Sequence, residues 1–244
     1  MAHAGARAFV WLFGVPEIGA HVRIREAIRL LPPRLGSLID IGCGPGMMLG
    51  AVARHTRPAR IVGIELDARA SEIASRTHPG ATIVNDDFLT WGGSETFDAA
   101  TCVDVLEHVP TQSLAPFVAR MHDVLRPGGT LVIHVPATPQ RRHFRRFNSW
   151  GHHDHEREGF TSEGLTTLLN DAGFRDVVVK RTFGYWGSLA WELNMMVAGK
   201  LLQAFVFPVA LALSYGDRLS PIRNNNGWLA FARRSAGMHE DILV

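Results

Sequence analysis

The sequence predicts an α/β protein built on one doubly wound, seven-stranded and mostly parallel sheet, with helices on both faces and a helical insertion between the last two strands. Three observations predict it. Short apolar runs alternate with helical stretches from Ser37 onward, the first run breaks into glycines just where the next helix begins, and the second run ends in an acid, Glu65.

The elements follow in order. Within residues 1–35, Ile18, Val22, Ile24, Ala27, Ile28 and Leu31 recur at helical intervals and leave Arg23, Arg25 and Arg29 for another face, so a helix is expected over Pro16–Leu31, stopped by Pro32 and Pro33. Strands are read at SLIDI from Ser37, RIVGIE from Arg60, ATIVN from Ala81, FDAATCV from Phe97 and TLVIHV from Thr130, with helical stretches alternating as parallel strands require. A stretch rich in arginine and histidine, Arg141–Phe160, precedes a helix, SEGLTTLLNDAGF, and a strand, RDVVVKRTFG; the last strand is GWLAFARR. Residues 185–224 separate those two strands, where a hairpin of a few residues usually suffices. That insertion is apolar, yet Lys200, Gln203 and Pro208 interrupt it, and no clean run reaches the roughly 18–20 residues of a membrane span. It suits three roles: a lid on a pocket, a homodimer interface, or peripheral contact with a membrane. The expected organisation is a single domain over 1–244, with its core in 36–184 and 225–234.

Composition narrows the function classes. A chain of 244 residues suits one core with insertions. Lysine and arginine number 25 against 23 acids, a formal charge of +2, which is too small a surplus for a partner that is bulk nucleic acid. Cys43 and Cys102 lie far apart in apolar runs, which fits a reducing, cytoplasmic setting better than a disulfide framework. The apolar run Ala8–Val15 is short and leads straight into charged residues, so it is not read as a signal peptide.

The chemistry starts at LIDIGCGPG, Leu38 to Gly46. Gly42, Gly44 and Gly46 permit a tight turn and let a ligand approach backbone N–H groups at a helix N-terminus. Glu65, closing the next strand, stands where such sheets hold ribose hydroxyls with a carboxylate. Either feature alone is a structural turn or a solvated acid; the pair points to a nucleoside. The spacing G-x-G-x-G differs from the dinucleotide fingerprint G-x-G-x-x-G, which argues against a nicotinamide cofactor.

With NDDF, FDAATCVDVLEHV, VLRPGGTLVIHVP and GFTSEGLTTLLNDAGF following in order, the chain from about Gly36 to Gly184 resembles the class I S-adenosylmethionine-dependent methyltransferases. That family is Rossmann-like, and the likeness is to its small-molecule branch, of ubiquinone-biosynthesis-like and glycan-cluster type. The resemblance implies S-adenosyl-L-methionine as cofactor. Gly42, Gly44 and Gly46 would accommodate its methionine portion, with Asp40 near the amino group and Asp104 beside the methionine end. Glu65, with Leu66 next to it, would take the ribose, while Asp86 would accept from the adenine amino group, Asp87 offer its backbone N–H and Phe88 an apolar edge. Glu107, in the LEHV element, would be structural.

Transfer to an oxygen needs a base, and His108 stands at the carboxyl end of the central strands, where capping or packing the helix after strand four is the alternative role. HEREGFT, His155 to Thr161, resembles the family's H-x-R-x-F-S/T run with Gly159 as an extra residue, which implies that His155 and Arg157 face the acceptor. Arg141, Arg142, Arg145 and Arg146 would form a cationic rim suited to carboxylate, phosphate or anionic lipid. His152, His153, Asp154 and His155 have no companion cluster elsewhere, so no metal is expected. The expected function is methyl transfer, at oxygen, to a small apolar or amphipathic acceptor. Its rivals are N- or C-methylation of an anionic or lipid-linked metabolite, and a non-catalytic cofactor-binding partner protein.

Overall fold

In the computed structural model, residues 17–144, 155–197, 200–220 and 225–235 are described. Five strands run parallel: β1 (Ser37–Ile41), β2 (Arg60–Glu65), β3 (Thr82–Asn85), β4 (Phe97–Val103) and β5 (Leu125–Pro136). At the β5 edge, β7 (Gly227–Arg234) inserts antiparallel between β5 and β6 (Phe174–Thr182). The order β3-β2-β1-β4-β5-β7-β6 is the seven-stranded, mostly parallel sheet expected. Its winding reverses between β1 and β4, and the crevice at their carboxyl ends is where ligands bind in such sheets.

The helices are α1 (Ile18–Ile28), α2 (Met47–His55), α3 (Ala68–Thr77), α4 (Thr111–Asp123), α5 (Ser162–Asp171), α6 (Tyr185–Met196) and α7 (Lys200–Ser214). Asp67 caps α3 by accepting from Ala70 N–H at 2.7 Å, and Thr161 caps α5 by accepting from Gly164 N–H at 3.0 Å. The alternation of strand and helix fails once. Between β3 and β4 the chain crosses as a loop, and that loop carries Asp86, Asp87 and Phe88.

Because β1 is covered on both faces, all five of its residues are buried. Ile39 and Ile41 join one core layer with Phe97, Leu106 and Phe174, while Leu38 joins the opposite layer with Leu49, Val52 and Val132. The insertion folds as α6, α7 and a 3₁₀ turn, Tyr215–Arg218. Its Asp217 accepts from the N–H groups of Trp186 and Gly187 at 2.8 and 3.0 Å, satisfying the start of α6. A third apolar cluster then joins the insertion to the N-terminal helix: Ile18 and Val22 of α1 meet Ala190 of α6 and Phe207 and Ala210 of α7. This packing places α1 and α6 over the crevice. On α7 the outward face exposes Leu202, Phe205 and Val209, Phe205 to 76 %. Among the described residues no helix is long and apolar enough to cross a membrane.

Candidate active site

Two cavities open at the carboxyl ends of the parallel strands, one of about 550 Å³ and one of about 400 Å³. They share Glu17, Arg23, Asp104 and His108.

The larger cavity is built from the glycine turn and the ends of β1, β2 and β4. At Gly42, φ is +69° and a Cβ would lie 2.4 Å from Val105 Cγ2, so only glycine fits. Gly44 differs: a Cβ there would meet nothing within 4 Å. Its surface is open to the cavity it lines. Glu65 ties the turn to β2, because one carboxylate oxygen accepts from Gly44 N–H at 2.7 Å and the other from Asp67 N–H at 2.9 Å. Each oxygen retains acceptor capacity for a hydroxyl. Asp40 is 2 % exposed; its Oδ1 accepts from Thr101 Oγ1 at 2.7 Å, and its Oδ2 has no partner among the described residues. Burial pushes its carboxyl up to about 7, against the Thr101 hydrogen bond and with help from Glu65's charge.

Of the cofactor residues read from the sequence, Asp40, Gly42, Gly44, Glu65 and Leu66 line this cavity, as do Asp86, Asp87, Phe88 and Asp104. Gly46 does not; its left-handed φ of +89° starts α2, and a Cβ there would meet His78 at 2.4 Å. Phe88 is buried against Phe117, with ring centroids 5.0 Å apart. The N–H of Asp87 donates to Asp86 Oδ1 at 2.8 Å, so a ligand at Asp87 would compete with that contact.

The wall between the cavities is a chain of polar groups that drew no attention in the sequence, Asp104 excepted. Asp104 holds φ +54°, and its N–H donates to the His134 carbonyl at 2.9 Å. Its carboxylate pairs with Arg23 Nε at 2.8 Å and His134 Nδ1 at 2.6 Å, and His134 Nε2 lies 2.9 Å from Thr182 Oγ1. Helix α1 and β5 thus meet at one carboxylate just past β4, and β6 joins through His134. Sequence periodicity marked Arg23 only as a polar-face residue and His134 only as part of a strand.

In the smaller cavity, His108 and His155 come together, with ring centroids 4.7 Å apart and edge to face. Glu107 joins them, 1 % exposed and with Oε2 lacking a partner among the described residues. Burial, then the charge of Asp104, pushes its carboxyl up to about 8. One ligand atom from each of Glu107, His108 and His155 lies within 4.8 Å of the others, a spacing a metal ion could use. This set differs from the histidine run weighed in the sequence; His152, His153 and Asp154 lie outside the described residues, as do Arg145 and Arg146.

Arg157 is placed otherwise than the resemblance implies. Its guanidinium donates to the carbonyls of Leu106 and Val109, the latter at 2.7 Å, and to Thr111 Oγ1 at 3.3 Å. It braces the turn that carries His108 and is absent from the lining of the smaller cavity. Two carbonyls and a hydroxyl at the entry to α4 thus occupy this donor-rich group. Arg142 does line that cavity, beside Trp191 and Met195 of α6.

Residues 19–179 match the family described as methyltransferase domain. Trans-aconitate 2-methyltransferase of Rhizobium rhizogenes is 30 % identical over 113 residues, 46 % of this chain and 43 % of that protein. Ubiquinone biosynthesis O-methyltransferase of Psychrobacter arcticus is 28 % identical over 185 residues, 66 % of this chain and 70 % of that one. The chain spans less than half the length of several curated relatives it matches. Among solved structures, a Haemonchus contortus phosphoethanolamine N-methyltransferase 2, in complex with phosphomonomethylethanolamine and S-adenosylhomocysteine, superposes with a TM-score of 0.67 at 17 % identity, covering 96 % of this chain and 58 % of that one. At that identity the likeness is one of fold.

Proposed function

Because the chain belongs to the methyltransferase-domain family, we propose that it binds S-adenosylmethionine in the larger cavity and methylates an oxygen of a small amphipathic acceptor held in the smaller one. The observation that carries this reading is the shared wall: the two cavities meet at Asp104 and His108, so a donor in one and an acceptor in the other face each other there.

The residues present suit the cofactor. Asp40 offers a cationic amino group a buried oxygen that has no partner among the described residues, Gly44 leaves open space at the cavity, and Glu65 keeps acceptor capacity for ribose hydroxyls. When bound, the sulfonium supplies an activated methyl group and its own leaving group. The protein's share is alignment and exclusion of water. Helix α1 serves both, since Glu17 and Arg23 belong to both cavities. Arg23 and His134 fix the Asp104 carboxylate at the junction, and Arg157 braces the turn of His108. His108 takes the proton of an acceptor hydroxyl as the new bond to carbon forms, with His155 against its ring. The O-methyltransferase among the relatives supports oxygen as the accepting atom.

Transfer of labelled methyl from S-adenosylmethionine into a panel of phenols, carboxylates and amines tests the reading. Label in oxygen acceptors, strongly reduced by His108→Ala, is expected; label confined to amines would replace O- by N-methylation, and no label with any acceptor would leave a cofactor-binding protein.

A further inference from the structure

We infer that Arg142, lying over Trp191 in the smaller cavity, is the binding site for an anionic group of the acceptor, a carboxylate or a phosphate. The inference deepens the proposed reading and rests on it for the identity of that cavity.

Two guanidinium groups line this cavity, and their surroundings differ. Arg23 is neutralised by Asp104 at 2.8 Å and Glu17 at 3.5 Å. Arg142 has no ion pair among the described residues. The acid nearest in charge to it, Glu192, is fully buried and already committed: it accepts from the backbone N–H groups of His143 and Phe144 at 3.1 and 2.9 Å and lies 3.2 Å from His143 Nδ1. Those contacts fix the backbone immediately after Arg142. The guanidinium carbon stands 4.6 Å from the centre of the Trp191 ring, and one nitrogen donates to the Gln140 side chain. A stacked, planar group with a single donor spent keeps a fork of N–H groups for a two-oxygen anion. Burial lowers its proton affinity, with Glu192 opposing, as expected of a cation short of solvent.

Charge also fixes the direction of binding. At the wall shared with the cofactor the one guanidinium, Arg23, is already paired with Asp104 and Glu17, whereas Arg142 and Trp191 line the smaller cavity alone. An acceptor therefore lies with its anion on Arg142, its apolar body along Trp191 and Met195, and its reacting atom at His108. Arg141 contributes nothing comparable: its side chain is exposed, and its backbone N–H and carbonyl are bound by Asn226 at 2.6 and 2.8 Å.

The test uses three one-ring probes, benzoate, phenyl phosphate and neutral benzyl alcohol, titrated by ligand-observed NMR against the full chain with and without S-adenosylhomocysteine. At least one anion is expected to bind more tightly than the alcohol, and the preference between the two identifies carboxylate or phosphate. Arg142→Gln should weaken that anion roughly tenfold or more and leave the alcohol unchanged, Arg142→Lys should recover part of the loss, and Arg141→Gln should bind as the wild type does. Equal anion affinity in Arg142→Gln, or no preference of the wild type for either anion, overturns the inference. Failure to bind S-adenosylhomocysteine, with anion binding at Arg142 intact, would overturn the proposed function and leave the anion site standing.

Discussion

Arg23 of the N-terminal helix and Asp104 beyond β4 form a 2.8 Å ion pair in the wall that both cavities share. Burial alone would raise the Asp104 carboxyl; the charges of Arg23 and then His134 more than offset it, and the group sits below the usual carboxylate range. A depressed folded-state pKa contributes stability above about pH 4, lost as pH falls through the folded value. Arg23→Met should therefore cost about 1.5 to 3 kcal/mol in urea denaturation at neutral pH, and the gap from wild type should narrow below about pH 4. A gap of equal size at both pH values would mean that only packing was lost.

Asp40 has the opposite sign. Its carboxyl is pushed up to about 7 by burial, so the folded chain holds a proton that the unfolded chain releases near pH 4. Stability from this group is present below about pH 4 and declines as pH rises to about 7. A cationic amino group on the cofactor favours the ionised form, so S-adenosylhomocysteine should bind more tightly at pH 8 than at pH 6. Calorimetry at pH 6 in buffers of different ionisation enthalpy should read release of about one proton on binding. Asp40→Asn should bind weakly and without that pH dependence.

Glu65 serves both the turn and the proposed ribose site. Its loss in Glu65→Ala should weaken S-adenosylhomocysteine roughly ten- to a hundredfold, matching about 1.5 to 3 kcal/mol for charge-assisted hydrogen bonds. Because the carboxylate also accepts from Gly44 and Asp67, Glu65→Gln is the companion variant. It keeps one acceptor oxygen and should fall between. Wild-type affinity in both variants would remove the cofactor assignment.

His108→Ala should lower turnover roughly a hundredfold or more and leave cofactor affinity intact. EDTA should leave activity unchanged. Activity that vanishes with EDTA and returns with a divalent ion would make Glu107, His108 and His155 a metal site and give the acceptor's proton a different route.

Much of this molecule is local in origin and was legible in the residues. Short apolar runs between helical stretches locate all seven strands, because a strand buried by helices on both faces needs apolar side chains in either direction. The turn at Gly42 and the strand end at Glu65 are equally local, and both line the larger cavity. The missing helix between β3 and β4 is the one break in that pattern, where a loop holding Asp86 takes the place of periodic structure. What tertiary structure decided is adjacency. Arg23, His134 and Trp191 carry no local signature; the packing of α1 and α6 brings Arg23 and Trp191 to the cavity where β5 presents His134. The same holds for Arg142 and Arg157, both read from the sequence as facing the acceptor. Arg157 turned to the carbonyls before α4 and Arg142 to the cavity, since a guanidinium goes where acceptors or an aromatic face stand, and those positions are fixed by distant parts of the chain.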